Sequence, residues 1–330
     1  MKLLCITDPK THPPLDATVA LYNHFAEHVE IDFYHTSSSQ ISSDPEIKTL
    51  NIKKSLGYED FLEIDNQAIE NRKITDFDLV FSRADSPLPE NYYENLSLVE
   101  NKVCFVNRPS SVLKFFRKDE VAKIASQFMP ENIVSRKVEE IEQFLNRHKV
   151  IVAKRNIGYG GKWVYKIEIE DNFISCENIL DGQQKFDSYK ALVGYLNNLD
   201  SGPYQFMRFL KNVSLGDKRI HVVNGEIYGA ILRKSADSSQ WLQNLTLGAT
   251  AKLSSVSEFE KKVIHETTEV YRDSGIYTLG YDFLVDDDGS SILSEINSGN
   301  IGGYNRYKIL GGEDVVAKLT SWLISFTTQK

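Results

Sequence analysis

The sequence predicts an α/β protein with an open, mostly parallel sheet at its N-terminus, followed by a two-lobed α+β region. Three observations support this prediction. Short apolar segments alternate with helical segments from residue 1 to residue 117. Beyond residue 149, strand-like segments come in neighbouring pairs joined by turn sequences. The length of 330 residues is sufficient for two or three domains with a large core.

The composition excludes several functional classes. The net charge of −8 argues against a general nucleic-acid binder, because neutralising phosphates requires a basic surface. The cysteines, Cys5, Cys104 and Cys176, lack metal-binding spacing, so we expect free thiols in a reducing compartment. The apolar segments are too short for a signal peptide or a membrane span. We therefore expect a cytoplasmic protein without nucleic-acid or membrane partners.

The N-terminal region, residues 1–117, alternates strands with a helix, and residues 36–66 are predicted to be a surface excursion. Ligands of open α/β sheets bind beyond the carboxyl ends of the strands, so Arg83 is a candidate substrate contact. The alternative is a local ion pair with Asp85. The predicted elements are strands Leu3–Ile6, Val29–Tyr34, Phe77–Phe81 and Val103–Val106, and helix Leu15–Glu27.

A lysine and a glycine loop follow in the middle of the chain. Lys118 lies in a helical segment from Pro109 to Gln127, where the pattern alone predicts a solvent-exposed residue. Lys154 closes an apolar strand and precedes a glycine loop, after which a second strand begins. Such a loop lets backbone N–H groups approach phosphate oxygens, and Lys154 adds a positive charge there. The alternative is a plain flexible hairpin. The loop consists of Gly158, Tyr159, Gly160 and Gly161.

Two arginines flank a predicted hairpin in the C-terminal region. The turn Asn224-Gly225 joins two strands, with Arg219 before the first and Arg233 near the end of the second. A regular two-residue turn would pair Arg219 near Ala230 and point Arg233 to the opposite face. The two arginines reach one site only if the strand contains a bulge, for which Gly229 is a candidate.

A second hairpin, over residues 279–297, gathers oxygen ligands. A four-residue loop at Asp287–Ser290 would place Asp282 directly opposite Glu295. Asp282, Glu295 and Asn297 then share one face and form a candidate Mg²⁺ site on a nucleotide. The alternative is a solvated hairpin with its polar residues outward. Ser257 and Glu260 form a capping box that begins the helix before this hairpin, and a final helix is predicted over Asp314–Phe326.

These motifs in this order resemble the ATP-grasp superfamily, and specifically its bacterial glutathione synthetase branch. The likeness spans nearly the whole chain. The resemblance implies a pre-ATP-grasp domain over residues 1–117, a central ATP-grasp lobe with a glycine flap over 118–203, and a C-terminal lobe with the metal site over 204–330. The motifs are Asp8-Pro9, Arg83–Pro87, Asn107-x-Pro109 with Lys118, Lys154 with Gly158-x-Gly160-Gly161, Gly216-Asp217-Lys218-Arg219 with Asn224-Gly225-Glu226, Asp282, and Glu295-Ile296-Asn297.

The resemblance also implies roles for individual residues. Lys118 and Lys154 would contact ATP, the glycine loop would close over its phosphates, and Asp217 would lie near the ribose. Arg219 and Arg233 would face the reacting carboxylate and the transferred phosphoryl group. Two Mg²⁺ ions, or Mn²⁺ in their place, would bind Asp282, Glu295 and Asn297. The adenine would be lined by Met207, Arg208, Phe209 and Leu210.

The implied activity is that of an ATP-dependent carboxylate–amine ligase with an acyl-phosphate intermediate, releasing ADP and phosphate. Its substrates would be a small-molecule or peptide carboxylate and an amine, and relatives in this branch are often oligomeric. The alternatives are a ligase that tailors peptides or proteins, and an ATP-binding regulatory module without turnover.

The chain departs from this branch in two loops that bind substrate there. The branch has an Arg-Gly-Asn run after the second arginine, where this sequence has Trp241 in a polar loop, Ser235–Gln243. An indole packs against an apolar group but cannot neutralise a carboxylate. The segment after Asn297 also differs, and Asn300 and Arg306 are its candidate substrate contacts. We therefore expect a substrate pair other than γ-glutamylcysteine and glycine.

Overall fold

The structure, a computed structural model, describes residues 1–67, 70–158, 162–235 and 250–328. Its N-terminal unit is an α/β sheet with helices packed against it. The elements are β1 (Lys2–Ile6), α1 (Ala17–Ala26), β2 (Asp32–Thr36), β3 (Glu46–Asn51), α2 (Tyr58–Leu62), β4 (Glu70–Lys73), β5 (Leu79–Ser82), α3 (Tyr92–Ser97), β6 (Cys104–Val106), α4 (Pro109–Phe115) and α5 (Lys118–Ala125).

The N-terminal sheet has the order β4-β3-β2-β1-β5-β6, and β2, β1, β5 and β6 run parallel to one another. This confirms the predicted open, mostly parallel sheet. The prediction that residues 36–66 form only a surface excursion is wrong. This segment contains β3, antiparallel to β2, and it buries Ile47 and Phe61 in the core. Most of its Ser, Asp and Lys residues are exposed, and their number hid the buried positions between them.

The helical segment after Pro109 is divided into α4 and α5. The break falls at Phe116–Arg117, so Lys118 is the first residue of the second helix rather than an interior one. The backbone N–H of Lys118 donates to the carbonyl of Asn156 at 2.9 Å. Asn156 lies between a strand that ends at Arg155 and the glycine loop. The prediction of a solvent-exposed lysine is wrong because the break turns its side chain inward, where 8% of the residue is exposed.

The central unit is an antiparallel sheet with the order β11-β10-β9-β8-β12-β7. Its apolar cluster, which includes Phe144, Tyr165 and Phe206, is separate from those of the rest of the chain. The predicted domain bounds remain a prediction, although β12 pairs within this sheet and not with the C-terminal lobe. The elements are β7 (Asn132–Ser135), α6 (Val138–His148), β8 (Val150–Arg155), β9 (Val164–Ile169), β10 (Ile174–Asn178), β11 (Gly182–Phe186), α7 (Tyr189–Leu199) and β12 (Tyr204–Arg208).

The C-terminal unit is an antiparallel sheet with the order β15-β14-β13-β16-β17. It shares its core with the N-terminal unit, since Phe105 and Phe115 belong to the same cluster as Ile220 and Phe283. The capping box of Ser257 and Glu260 is present. The elements are β13 (Asp217–Val223), β14 (Glu226–Lys234), β15 (Thr250–Ser254), α8 (Glu258–Asp273), β16 (Thr278–Val285), β17 (Ser291–Asn297), α9 (Arg306–Ile309) and α10 (Val315–Thr328). Within the described ranges, the helices are too short or too polar to cross a membrane.

One side chain ties the N-terminal sheet to both ends of the β16–β17 hairpin. Asn107 follows β6, and its amide nitrogen donates to the carbonyls of Thr278 and Ser298, both at 2.8 Å. Its amide oxygen accepts from the backbone N–H groups of Tyr277 and Thr278 at 2.7 and 2.9 Å. A buried amide with four bonds therefore fixes where the hairpin begins and ends relative to the N-terminal unit.

Replacing this amide is expected to destabilise the protein. Asn107→Ala leaves buried backbone donors and acceptors without partners, and we expect the free energy of unfolding to fall by about 3 kcal/mol. Chemical denaturation measures the change, with Asn71→Ala on the exposed strand β4 as the control. An equal change in the two variants would contradict the assigned role.

Candidate active site

The three units enclose a cleft of about 650 Å³. The central sheet contributes one wall, the C-terminal sheet the second, and loops of the N-terminal unit close one end. Most of the predicted site residues line this cleft. Tyr159, Gly160, Gly161 and the loop that contains Trp241 lie outside the described residues. The lining residues that the sequence predicted are Lys118, Lys154, Gly158, Met207, Arg208, Phe209, Leu210, Asp217, Arg219, Arg233, Asp282, Glu295, Asn297, Asn300 and Arg306.

The predicted pairing of Asp282 with Glu295 is confirmed, but two differences cancel to produce it. The loop between β16 and β17 has five residues, Asp286–Ser290, rather than four, which alone would place Ser294 opposite Asp282. Strand β17 then contains one extra residue at Ser294, and this bulge moves Glu295 into register. The bulge also brings Ser294 to the cleft, where Lys154 Nζ donates to its carbonyl at 3.1 Å and to its hydroxyl at 3.2 Å.

A second bulge aligns the two arginines. His221 pairs with Gly229 and Val222 with Ile227, which leaves Tyr228 as the extra residue of β14. Arg219 therefore lies opposite Ile231, not Ala230, and Arg233 lies opposite Asp217. Because side chains alternate along a strand, this shift by one residue puts Arg219 and Arg233 on the same face. The bulge that the sequence required near Gly229 is thus present.

Both arginines converge on the carboxylate of Asp282. Arg219 donates to it through two nitrogens, Nη2 lying 2.8 Å from Oδ2, and Arg233 Nη2 lies 2.9 Å from Oδ1. Arg233 also donates to Asp217 through Nε at 3.0 Å. Burial acts to raise the pKa of Asp282, but the two guanidinium groups outweigh it and hold that pKa well below its usual value. Burial and the charge of Asp282 raise the pKa of Asp217.

The lysines meet the second carboxylate of the hairpin. Lys118 Nζ lies 2.6 Å from Glu295 Oε1 and 3.3 Å from the carbonyl of Gly158, at the start of the glycine loop. Burial acts to raise the pKa of Glu295, but the charges of Lys118 and Lys154 hold it below its ordinary value. Burial lowers the pKa of Lys154, although Glu295 opposes this shift. Cations from α5 and β8 therefore face carboxylates from the hairpin across one cleft.

Another part of the cleft has an apolar lining and is bordered by an ion-paired arginine. Val152, Met207, Leu210 and Leu284 line it, a composition that suits a flat apolar ring. Arg208 lies at the rim, where its guanidinium donates to Asp286 and Asp287 in the β16–β17 loop at 2.6 and 2.8 Å. It therefore joins the central sheet to the hairpin.

The segment Ser298–Arg306, which we call the acceptor loop, forms the wall next to the N-terminal unit. Arg83 does not line the cleft. The residue is 2% exposed, and its guanidinium donates to the carbonyl of Ile301 at 2.8 Å and to the hydroxyl of Thr18. It holds the loop in place, and its predicted pair with Asp85 is likewise absent from the described contacts. Asp85 instead accepts from Asn300 at 2.6 Å. Arg306 is exposed to the cleft and has no charged partner among the residues that the structure describes.

The donor set fits a hard divalent cation that is also bound by phosphate. Asp282, Glu295 and Asn297 supply carboxylate and amide oxygens, and the amide nitrogen of Asn297 lies 3.0 Å from Asp282 Oδ2. In the described part of the chain, His, Cys, Asp and Glu side chains do not gather in groups of three or more that would hold a metal alone. Two carboxylates and an amide that leave positions for phosphate and water are typical of Mg²⁺ sites on nucleotides.

Comparison with known proteins identifies the family. The model of the ATP-grasp domain of prokaryotic glutathione synthetase matches residues 120–306, more than half of the chain. The chain belongs to this ATP-grasp family. It is 30% identical over 247 residues to the glutathione synthetase of Bradyrhizobium diazoefficiens, covering 74% of this chain and 71% of that one. This ATP-grasp protein is therefore a carbon–nitrogen ligase that joins a carboxylate to an amine and uses ATP with a divalent metal ion.

Solved structures show the same fold across its full length. D-cycloserine synthetase DcsG has a TM-score of 0.64 and 14% sequence identity, with coverage of 98% of this chain and 100% of that chain. A Chryseobacterium gregarium ATP-grasp ligase, solved with ADP and a leader and core peptide, has a TM-score of 0.62 and 16% identity, with coverage of 98% and 96%. The resemblance to the ATP-grasp superfamily and the predicted fold class are both confirmed.

Ser294 and His221 are cleft residues that the sequence analysis did not select. The position of Ser294 could not be predicted, because it depends on the bulge. In the register predicted from the sequence, nothing indicated a contact between Ser294 and Lys154. His221 lies two residues after Arg219 on β13, so the period-two rule places both on one face. That spacing was the available signal for His221.

Removal of the shared carboxylate is expected to cost stability. Asp282→Asn leaves Arg219 without a carboxylate partner and Arg233 with Asp217 alone, so we expect the free energy of unfolding to fall by about 3 kcal/mol. Asp171→Asn, in the exposed turn after β9, serves as the matched control in chemical denaturation. A stability of Asp282→Asn equal to that of the unmodified protein would show that this ion-pair cluster does not support the fold.

Proposed function

We propose that this ligase activates its acid substrate as an acyl phosphate and that the residues of the cleft divide into an ATP side and an acceptor side. The observation that carries the proposal is that two lysines and two arginines from four different elements surround the carboxylates of one hairpin. A carboxylate oxygen of the acid attacks the γ-phosphorus of ATP, and ADP leaves. The amine nitrogen then attacks the acyl carbon, phosphate leaves, and the amine gives up its proton.

Phosphoryl transfer depends on positioning and charge neutralisation more than on covalent participation of the protein. We assign Lys118 and Lys154 to the phosphates of ATP, and the apolar end at Met207–Leu210 to its adenine. Arg219 and Arg233 face the reacting carboxylate and the phosphoryl group. Asp217, predicted near the ribose, is bonded to Arg233 instead, so we assign it to orienting that arginine.

We further propose that Asp282, Glu295 and Asn297 hold two Mg²⁺ ions, with Mn²⁺ as a substitute. Bound there, the metal neutralises charge on the phosphates. Without a metal the same carboxylates pair with Arg219, Arg233 and Lys118. The glycine loop Gly158–Gly161 is assigned to covering the phosphates, which would protect the acyl phosphate from water.

The substrates are proposed to be an amino acid or short peptide, with one carboxylate held by the acceptor loop. Arg306 supports this assignment because it is an exposed cation in the cleft without a charged partner in the described ranges, whereas Arg83 is occupied by Ile301. Leu15, 60% exposed, lines the same end of the cleft and suits an apolar side chain. The two features together suit a substrate that carries a carboxylate beside an apolar side chain.

The function is tested by product analysis. Purified protein with ATP, Mg²⁺ and a panel of acids and amines is expected to release ADP and phosphate, in a one-to-one ratio with amide, only with a matched pair. Glu295→Gln is expected to abolish turnover while the protein stays folded, because it removes a metal-binding charge at nearly constant volume. Release of AMP would contradict the acyl-phosphate route, and full activity of Glu295→Gln would contradict the metal assignment.

Arg306 is tested by its effect on one substrate alone. A charge-assisted hydrogen bond contributes about 1.5–3 kcal/mol, so Arg306→Gln is expected to raise the KM for the carboxylate-bearing substrate about tenfold or more. The KM for ATP is expected to stay the same. Lys308→Gln is the matched control, because Lys308 lies on the same helix α9 but pairs with Asp314 at 2.6 Å. Equal effects of the two substitutions would refute the assignment.

A further inference from the structure

His221 is a buried histidine that borders the cleft and takes no part in the chemistry described above. It is fully buried on β13, two residues after Arg219. One ring nitrogen, Nε2, lies 2.8 Å from the carbonyl oxygen of Gly302, and the other, Nδ1, lies 2.7 Å from the hydroxyl of Tyr307. The ring also packs against Tyr304, with centroids 4.5 Å apart. These three ring contacts belong to the acceptor loop and to the first turn of α9.

The partners determine the protonation of the ring. A carbonyl oxygen only accepts, so Nε2 of His221 must donate to Gly302, and Nδ1 then accepts the hydroxyl proton of Tyr307. Burial and the charge of Arg219 lower the pKa of His221 to about 3, so the ring is neutral at physiological pH. A neutral imidazole with both nitrogens bonded therefore links β13 to the acceptor loop. We call this arrangement of His221, Gly302 and Tyr307 the bracket.

A glycine beside the bulge in β14 provides the space for this bracket. Gly229, opposite His221, adopts a φ of +154°, and a Cβ there would lie 2.3 Å from Cε1 of Tyr307. The ring of Tyr307 therefore crosses β14 where a side chain is absent, and reaches His221. The bulge that brings Arg233 onto the face of Arg219 also admits the ring that holds His221.

The phosphate-side arginine and the acceptor loop come together next to this bracket. A Cβ added at Gly280 would lie 3.1 Å from both Arg219 Nη1 and Ile301 Cγ2. Residues two apart on a strand are separated by about 6–7 Å. On strand β13, Arg219 binds Asp282. His221, the next residue on the same face, binds the loop that carries Asn300 and Arg306.

We propose that His221 is a positioning residue for acceptor-substrate binding, which fixes the acceptor loop relative to Arg219 through its bond to the carbonyl of Gly302. This inference rests on the proposed function for its effect on substrate, but its effect on the loop does not. The ring of His221 bonds to Gly302 and Tyr307 rather than to Asp282, Glu295 or Asn297, so we assign it to the acceptor side and not to ATP binding. Loss of the bond lets the loop move away from the acyl group while the ATP side of the cleft stays intact.

The test uses variants that keep one bond each. His221→Gln retains a donor near the position of Nε2, His221→Asn retains an acceptor near Nδ1, and His221→Phe retains neither. We expect His221→Asn and His221→Phe to raise the KM for the acceptor-side substrate about tenfold, with the KM for ATP changed less than about twofold. The ratio of ADP to amide is expected to rise, because the acyl phosphate then reacts with water. His221→Gln is expected to restore values near those of the unmodified enzyme.

His35 provides a matched control. It is also fully buried, its Nδ1 lies 2.7 Å from the hydroxyl of Tyr22, and its Nε2 lies 2.7 Å from Asp65, all within the N-terminal unit. His35→Phe removes a comparable pair of bonds. It is expected to lower stability without raising the KM for the acceptor-side substrate relative to the KM for ATP. Such a rise in His35→Phe, or equal changes in both KM values for His221→Phe, would overturn the proposal.

A second measurement does not depend on turnover. Hydrogen exchange followed by mass spectrometry is expected to rise in peptides covering residues 298–307 in His221→Asn and His221→Phe, and not in His221→Gln or His35→Phe. Tyr307→Phe is a further variant in case His221→Phe does not fold. Unchanged exchange in this segment would refute the bracket. If the unmodified protein forms no amide with any substrate pair, the proposed function fails and the exchange result still decides this inference.

Discussion

The carboxylate of Asp282 binds guanidinium groups from two neighbouring strands, and this arrangement depends on the register of the C-terminal sheet. Side chains alternate along a strand, so Arg219 and Arg233 share a face only if β14 contains an odd number of extra residues. The bulge at Tyr228 supplies one, and the bulge at Ser294 does the same for Glu295. Without these insertions the charged groups of the cleft would point to opposite sides of the sheet.

The two bulges also connect the units of the chain. The extra residue at Ser294 receives Lys154 from the central sheet, and the bare backbone at Gly229 receives Tyr307 from α9. The N-terminal and C-terminal units share apolar clusters, whereas the central sheet has its own cluster and contributes Met207 of β12 to one of the shared ones. The central sheet therefore meets the other two units through Met207 and through the polar contacts of Lys154, Lys118 and Arg208.

The sequence predicted the type of each unit and most of the cleft, but not the irregularities that build it. Period-two alternation and turn residues located the strands, and the need for a bulge near Gly229 followed from requiring two arginines at one site. The loop is one residue longer than predicted, and the bulge at Ser294 compensates for this difference. The predicted pairing of Asp282 with Glu295 was therefore correct, although neither irregularity was predicted. The burial of Lys118 was missed because a helix break at Phe116–Arg117 leaves no periodic signal. Arg83 was misjudged because its partner, the carbonyl of Ile301, lies 218 positions away.

The acceptor loop is attached to its surroundings partly through its own backbone. Asn107, Arg83 and His221 donate to the carbonyls of Ser298, Ile301 and Gly302, and every amino acid offers a carbonyl at such a position. These three bonds do not depend on the side chains of the loop, so a substitution at an exposed position such as Arg306 leaves them in place. A different side chain at position 306 would then face the substrate from the same stretch of backbone, so substrate choice can be altered without rebuilding this wall of the cleft.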